Sequence, residues 1–165
     1  MRRQRMGTGN SGRYYTSNGS NVIHHKALIH SLEGDYVNHQ RTGKPYRLKS
    51  GGHGQDAIDY MTKQGIEFHV VKTYDNGVRV GNVPNHKDKS KQTGTGQSWF
   101  PVSWGQSDVV NATEYVVSLK RNTNKKDGEK MWGKYNGVWV CVIKTGGKVA
   151  TVFPDNNQSD DKNRS

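Results

Sequence analysis

Residues 131–154 read Met131-Trp132-Gly133-Lys134-Tyr135-Asn136-Gly137-Val138-Trp139-Val140-Cys141-Val142-Ile143-Lys144-Thr145-Gly146-Gly147-Lys148-Val149-Ala150-Thr151-Val152-Phe153-Pro154. Three runs rich in β-branched and aromatic residues, Trp132 to Tyr135, Val138 to Lys144 and Lys148 to Phe153, are separated by Asn136-Gly137 and Thr145-Gly146-Gly147. Asn and Gly tolerate the positive φ of tight hairpin turns, so the stretch predicts an antiparallel three-stranded unit. Cys141, the single cysteine, falls in the most apolar run and reads as a small buried hydrophobe; alone, it forms no internal disulfide.

Upstream, Ser107 is in place to cap a helix with Val109, Val110, Ala112, Val116, Val117 and Leu119 on its apolar face, ending before the charged loop Lys120 to Lys130. Asp108 and Glu114 read as capping and solvated-face charges, and Trp99, Trp104, Trp132 and Trp139 as core anchors in a chain with little apolar material. Ile66 to Thr73 and Val78 to Val83 flank Asp75-Asn76-Gly77, a second hairpin signal, while Asn85 to Gln97, with Lys87, Lys89 and Lys91, has the composition of an exposed loop. Gln55 to Gln64 suits one or two helical turns around Ala57, Ile58 and Met61, ended by Gly65. Asp35 to Gln55 is punctuated by Gly43, Pro45, Gly51, Gly52 and Gly54 and reads as connecting loop, and Val22 to Leu32 as a short helix. The sum is an α+β domain of twisted antiparallel sheet with few helices. Residues 1–21 read as a flexible basic leader, 22–154 as the folded domain and 155–165 as a flexible polar tail.

Only 30% of the 165 residues are hydrophobic, so the core is small, and 25 Lys and Arg against 14 Asp and Glu give a net charge of +11. Such an excess favours a polyanionic partner, nucleic acid or an anionic membrane surface. No apolar run approaches the roughly 20 residues of a membrane-spanning helix, and the basic start is not followed by the apolar segment of a secretory signal.

Among seven histidines, two stand apart. His53 lies in Ser50-Gly51-Gly52-His53-Gly54, where glycines let backbone amides and an imidazole approach a ligand. His69 lies in the strand segment Glu67-Phe68-His69-Val70-Val71. Singly, His53 reads as a loop histidine and His69 as a sheet-face histidine. Together on a basic domain they are what RNA cleavage without a metal requires: one imidazole takes the proton of the ribose 2′-OH and the other protonates the departing 5′-oxygen. A lysine among Lys87, Lys89 and Lys91 could stabilise the charge on the phosphorane, or the loop could be a solvated basic surface that attracts phosphates. His24, His25 and His86 leave open a metal-dependent nuclease of the His-Asn-His class, although on a helix His24, His25 and His30 also fit a polar face. A basic module that holds single-stranded nucleic acid through lysines and aromatics without cutting it is a further alternative.

The order Gly51-Gly52-His53, Phe68-His69, a lysine-bearing loop running into Ser98-Trp99-Phe100-Pro101-Val102-Ser103-Trp104, and Lys148-Val149-Ala150-Thr151-Val152-Phe153-Pro154 resembles the bacterial EndoU nuclease domain, which is similar to the animal poly(U)-specific and nidoviral uridylate-specific endoribonucleases. The resemblance spans about residues 22–154 and implies an EndoU-like, RNase A-like core, no metal and no cofactor. It implies catalytic roles for His53 as base, His69 as acid and Lys91, with Lys89 the other candidate lysine. Gly52, Ser98, Thr151 and Phe153 then fall at substrate-binding positions, and Phe153 stands where many relatives carry a tyrosine. An aromatic ring still stacks on a base, but without the hydroxyl.

The resemblance further implies a uridine-preferring endoribonuclease acting on single-stranded RNA, transfer RNA included, that leaves 2′,3′-cyclic phosphate and 5′-OH ends. In bacteria such domains are warheads of polymorphic, contact-dependent inhibition or LXG-type toxins. They are delivered as part of a longer secreted or cell-surface protein into the cytoplasm of a competitor and neutralised by a cognate immunity protein. Against +11, an acidic inhibitor would associate fast.

Overall fold

A computed structural model describes residues 16, 17 and 20–159. The flexible leader and tail expected over residues 1–15, 18, 19 and 160–165 lie outside the described residues. Two-residue strands β1 (Thr16–Ser17) and β2 (Ser20–Asn21) pair with each other. They are followed by helix α1 (His25–Leu32), strands β3 (Asp35–Asn38) and β4 (Pro45–Ser50), α2 (Gln55–Gln64), β5 (His69–Thr73), β6 (Arg79–Asn82) and β7 (Gln97–Trp99). Helix α3 (Gln106–Ser118) precedes the closing strands β8 (Lys130–Tyr135), β9 (Val138–Thr145) and β10 (Lys148–Pro154). The fold is α+β, with antiparallel sheets β3-β4, β5-β6-β7 and β8-β9-β10. No helix among the described residues is long and apolar enough to cross a membrane.

The closing sheet is the meander its turn residues predict. Tyr135 pairs with Val138 around Asn136 (φ 48°) and Gly137 (φ 80°), and Thr145 with Lys148 around Gly146 and Gly147. Both loops have the two positive-φ residues whose twist matches the flanking strands. Val138, Val140 and Val142 point to one face of β9 and pack with Leu28 and Leu32 of α1 and Val109, Ala112 and Val116 of α3. Trp139 and Cys141, on the alternate face, join Trp132 and Phe153 in a second cluster. A third cluster gathers Leu48, Ala57, Ile58, Met61, Ile66, Val83 and Trp99 beneath α2.

One bulge aims the last strand. Val149 pairs with Lys144 and Thr151 with Ile143, leaving Ala150 as the extra residue. Val149 and Val152 therefore both enter the main core, and Thr151 and Phe153 share the other face.

Several sequence expectations need correction. Asp35 to Gln55 is not connecting loop: β3 and β4 pair across it, with two register shifts that blur the alternation in the sequence. Asn85 to Gln97 is not a free exposed loop. His86 and Gln97 are buried within it, Lys87 N–H donates to the Leu48 carbonyl at 2.9 Å, and Lys89–Lys91 form a 3-10 turn. The cap of α3 is Gly105 rather than Ser107, its N–H donating to Asp108 Oδ2 at 2.8 Å. Helix α1 begins at His25, not Val22. Hydrogen bonding also continues past Pro154: Asp155 N–H donates to the Trp139 carbonyl at 3.0 Å, and Gln158 Oε1 accepts the N–H of Trp139 at 2.9 Å.

Candidate active site

The glycine run before His53 is shaped by the end of α1. A helix leaves its last carbonyls without intrahelical partners, and here the N–H groups of Gly52, His53 and Gly54 donate to the carbonyls of His30, Ser31 and Leu32 at 3.1, 2.6 and 3.0 Å. The chain can lie this close because Gly51 (φ 68°) has no side chain: a Cβ there would stand 2.0 Å from the His30 carbonyl oxygen. The amides of Gly52 and His53 are thus committed to the fold rather than open to a ligand, contrary to the reading of the glycines as an amide cradle. Gln97 closes the same turn from β7, its amide donating to the carbonyls of Gly51 and Gly52 at 3.3 and 3.1 Å.

His53 is held from three sides. Its carbonyl accepts Phe100 N–H at 2.7 Å, and its ring lies 5.5 Å, centroid to centroid, from that of Phe153. Its Nδ1 contacts the Ser98 carbonyl at 2.8 Å. A carbonyl only accepts, so Nδ1 carries the hydrogen and Nε2 is left as the basic nitrogen. Burial, with the nearby Lys91 charge adding to it and the Ser98 bond opposing, pushes the imidazole down to about 3. His53 is therefore neutral at physiological pH.

Lys91 ends the 3-10 turn, half-buried, and Lys89 stands exposed on the same turn. Burial lowers the Lys91 ammonium from its usual value, against the opposing pull of Asp88, and its charge acts on both His53 and His86. His69 opens β5, an exposed edge strand, and its Nε2–H donates to Glu67 Oε2 at 2.7 Å. Gly81 of β6 permits the pairing there, since a Cβ would meet the His69 carbonyl at 1.8 Å. No hydrogen bond joins the two histidines among the described residues. His69 is linked to the His53 side of the site through its neighbour Phe68, whose ring meets Trp99 edge-on at 6.2 Å, next to Ser98.

Ser98 is buried, and its hydroxyl donates to the Pro154 carbonyl at 2.7 Å, tying β7 to the end of β10. What it offers His53 is its carbonyl, not its hydroxyl. Thr151 and Phe153 are half-buried on one face of β10, and Phe153 reaches His53. The structure thus brings together His53, Lys91, Ser98 and Phe153, with Gly52 adjacent to His53 in the chain, while Lys89 and His69 are exposed.

A family model described as bacterial EndoU nuclease matches residues 24–156, a span containing both histidines, the lysine turn and the whole of β10. The chain belongs to the bacterial EndoU nuclease family. No curated protein and no solved structure matches it. As an EndoU domain it is a nuclease, an enzyme that acts on nucleic acid, and its α+β architecture agrees with that membership.

Sequence reading missed Gln97 and Arg79 and considered His86 only as a metal ligand. All three are buried, and the Arg79 guanidinium donates to Gln55 Oε1 and to the Phe100 carbonyl. Their partners are distant in sequence, so no local pattern announces them. Among the described residues no cluster of three or more His, Cys, Asp or Glu could hold a metal ion. His30 instead pairs its Nδ1 with Asp35 Oδ2 at 2.7 Å.

Proposed function

We propose that this EndoU domain cleaves single-stranded RNA by metal-independent transesterification, with His53 as base, His69 as acid and Lys91 as the charge stabiliser. The observation that carries the reading is the state of His53: a neutral ring, its Nδ1–H fixed on the Ser98 carbonyl, its Nε2 left basic and an aromatic ring against it. Nε2 takes the proton of a ribose 2′-OH, O2′ forms a bond to phosphorus, the bond from phosphorus to O5′ breaks, and His69 delivers a proton to O5′. The products are a 2′,3′-cyclic phosphate and a 5′-OH. His69 bonds Glu67 through Nε2–H, so Nδ1 is the nitrogen that carries the transferred proton.

Lys91 supplies fixed positive charge beside the reacting phosphate. Phe153 stacks on a base without adding a hydroxyl, Thr151 lies on the same strand face, and Lys89 with the rest of the +11 excess holds the backbone of a uridine-preferring substrate, transfer RNA included. The charge also fits a toxin domain delivered from a longer protein into the cytoplasm of a competing cell and inhibited in its producer by a small acidic immunity protein.

The two lysines separate catalysis from attraction. On uridine-containing single-stranded RNA in chelator, Lys91→Met is expected to lower the single-turnover rate by about 10²–10³-fold with little change in affinity. Lys89→Met is expected to weaken binding and shallow its salt dependence by about one counterion while leaving the bound rate near wild type. Equal rates for Lys91→Met and the wild type would contradict the role given to Lys91, and RNA bound but uncut by the wild type would make the domain a binding module.

A further inference from the structure

His86 lies outside the residues that touch the reacting groups, yet it is 1% exposed and sits at the root of the turn that ends in Lys91. Its Nδ1 accepts the backbone N–H of Asp88 at 2.8 Å, which places the ring hydrogen on Nε2. Nε2–H is buried and finds no acceptor among the described residues. A buried donor left without a partner costs on the order of 1–3 kcal/mol, so an aliphatic side chain of similar volume would be the cheaper filling for this position. The imidazole earns its place through Nδ1.

That bond organises the lysine turn. Asp88, with its N–H held by His86, uses Oδ1 to accept the N–H and hydroxyl of Ser90 at 2.9 and 2.8 Å, and its carbonyl accepts Lys91 N–H at 3.0 Å. The His86 carbonyl accepts Gln92 Nε2 at 2.7 Å, fixing the residue that follows Lys91. The backbone closes the loop, with Val83 N–H donating to the Lys91 carbonyl at 2.9 Å and His86 N–H to the Val83 carbonyl at 2.8 Å. His86 thus grips the turn on both sides of Lys91.

We infer that His86 is a positioning residue for Lys91: by holding the Asp88 amide through Nδ1, it sets the turn that brings the Lys91 ammonium to His53. The inference rests on the reading of Lys91 as the charge stabiliser of RNA cleavage. Misplacing such a group by about 1 Å costs on the order of 100-fold in rate.

Asparagine and glutamine distinguish the two ring nitrogens. In His86→Asn the amide oxygen stands where Nδ1 was and still accepts Asp88 N–H; in His86→Gln it stands where Nε2 was and does not. Single-turnover rates and RNA affinities of these variants, of Lys91→Met and of the His86→Gln/Lys91→Met double variant are measured in chelator, with thermal unfolding of each. The expected result is a loss of about 10- to 100-fold in rate for His86→Gln at near wild-type affinity, a much smaller loss for His86→Asn, and no further loss when His86→Gln is added to Lys91→Met. Equal rates for Asn and Gln, or multiplying losses in the double variant, would overturn the inference while leaving Lys91 its role. A wild-type rate for Lys91→Met would overturn that role, and the inference with it.

Discussion

Replacing His53 with glutamine is expected to slow RNA cleavage by about 10²–10⁴-fold, the range over which a positioned proton acceptor acts, with RNA affinity close to wild type. The reason lies in the bonds of the ring: Nδ1–H is spent on the Ser98 carbonyl at 2.8 Å, so the only base in this imidazole is Nε2, and an amide supplies no basic nitrogen. Affinity is spared because positive charge elsewhere attracts the phosphates, and neutral His53 contributes none. The measurement is a single-turnover rate beside a binding titration, on protein whose unfolding midpoint shows that the domain is folded. Cleavage by His53→Gln at the wild-type rate would remove His53 from the chemistry.

Stability is expected to fall steeply in mild acid. His53 is held at about 3 in the folded protein by burial and the Lys91 charge, and an unfolded histidine titrates near 6.5. Its folded value is depressed, so between these limits the unfolded chain binds the extra proton. The stabilisation is complete above about pH 6.5 and drains away as pH falls toward 3. At about 1.4 kcal/mol for each pH unit below 6.5, His53 alone removes roughly 2 kcal/mol between pH 7 and pH 5. His86, lowered to about 4 mainly by burial and Lys91, acts in the same direction. Urea unfolding at pH 7 and pH 5 tests this: the midpoint should drop, and His53→Gln should drop less. A midpoint unchanged between the two pH values would mean that His53 is not buried neutral.

What could be read without coordinates was local. The Asn136-Gly137 and Gly146-Gly147 turns demand positive φ, and they placed β8, β9 and β10 to within a residue or two. Helix α2 and its Gly65 stop were legible for the same reason: Gly65 has φ 73° and closes the helix by donating to the Thr62 carbonyl at 3.3 Å. The β3-β4 pair was not, because its register shifts leave Tyr36, Val37, Tyr46 and Leu48 without a regular alternation.

The site divides along the same line. His53 and Lys91 were singled out from glycines, charge and order along the chain, and the structure lets the Lys91 charge act on the buried His53 ring. The Gly51-Gly52 turn was legible as unusual backbone but not in its use, since its partners are the carbonyls of α1 and the amide of Gln97, far away in sequence. Ser98 was legible as a substrate-binding position, but not the use of its atoms: the hydroxyl is bonded to the Pro154 carbonyl and its own carbonyl orients His53. Such roles are set by tertiary packing and leave no periodic trace.

The most direct measurement offers the purified domain two oligomers of the same uridine-containing sequence, one of ribonucleotides and one of 2′-deoxynucleotides, in excess chelator, and identifies the ends of any product. With the 2′-OH as nucleophile and His53 as its base, only the ribonucleotide strand is cut, and its fragments end in 2′,3′-cyclic phosphate and 5′-OH. Cleavage of the deoxynucleotide strand, or loss of all cleavage on adding chelator, would contradict it.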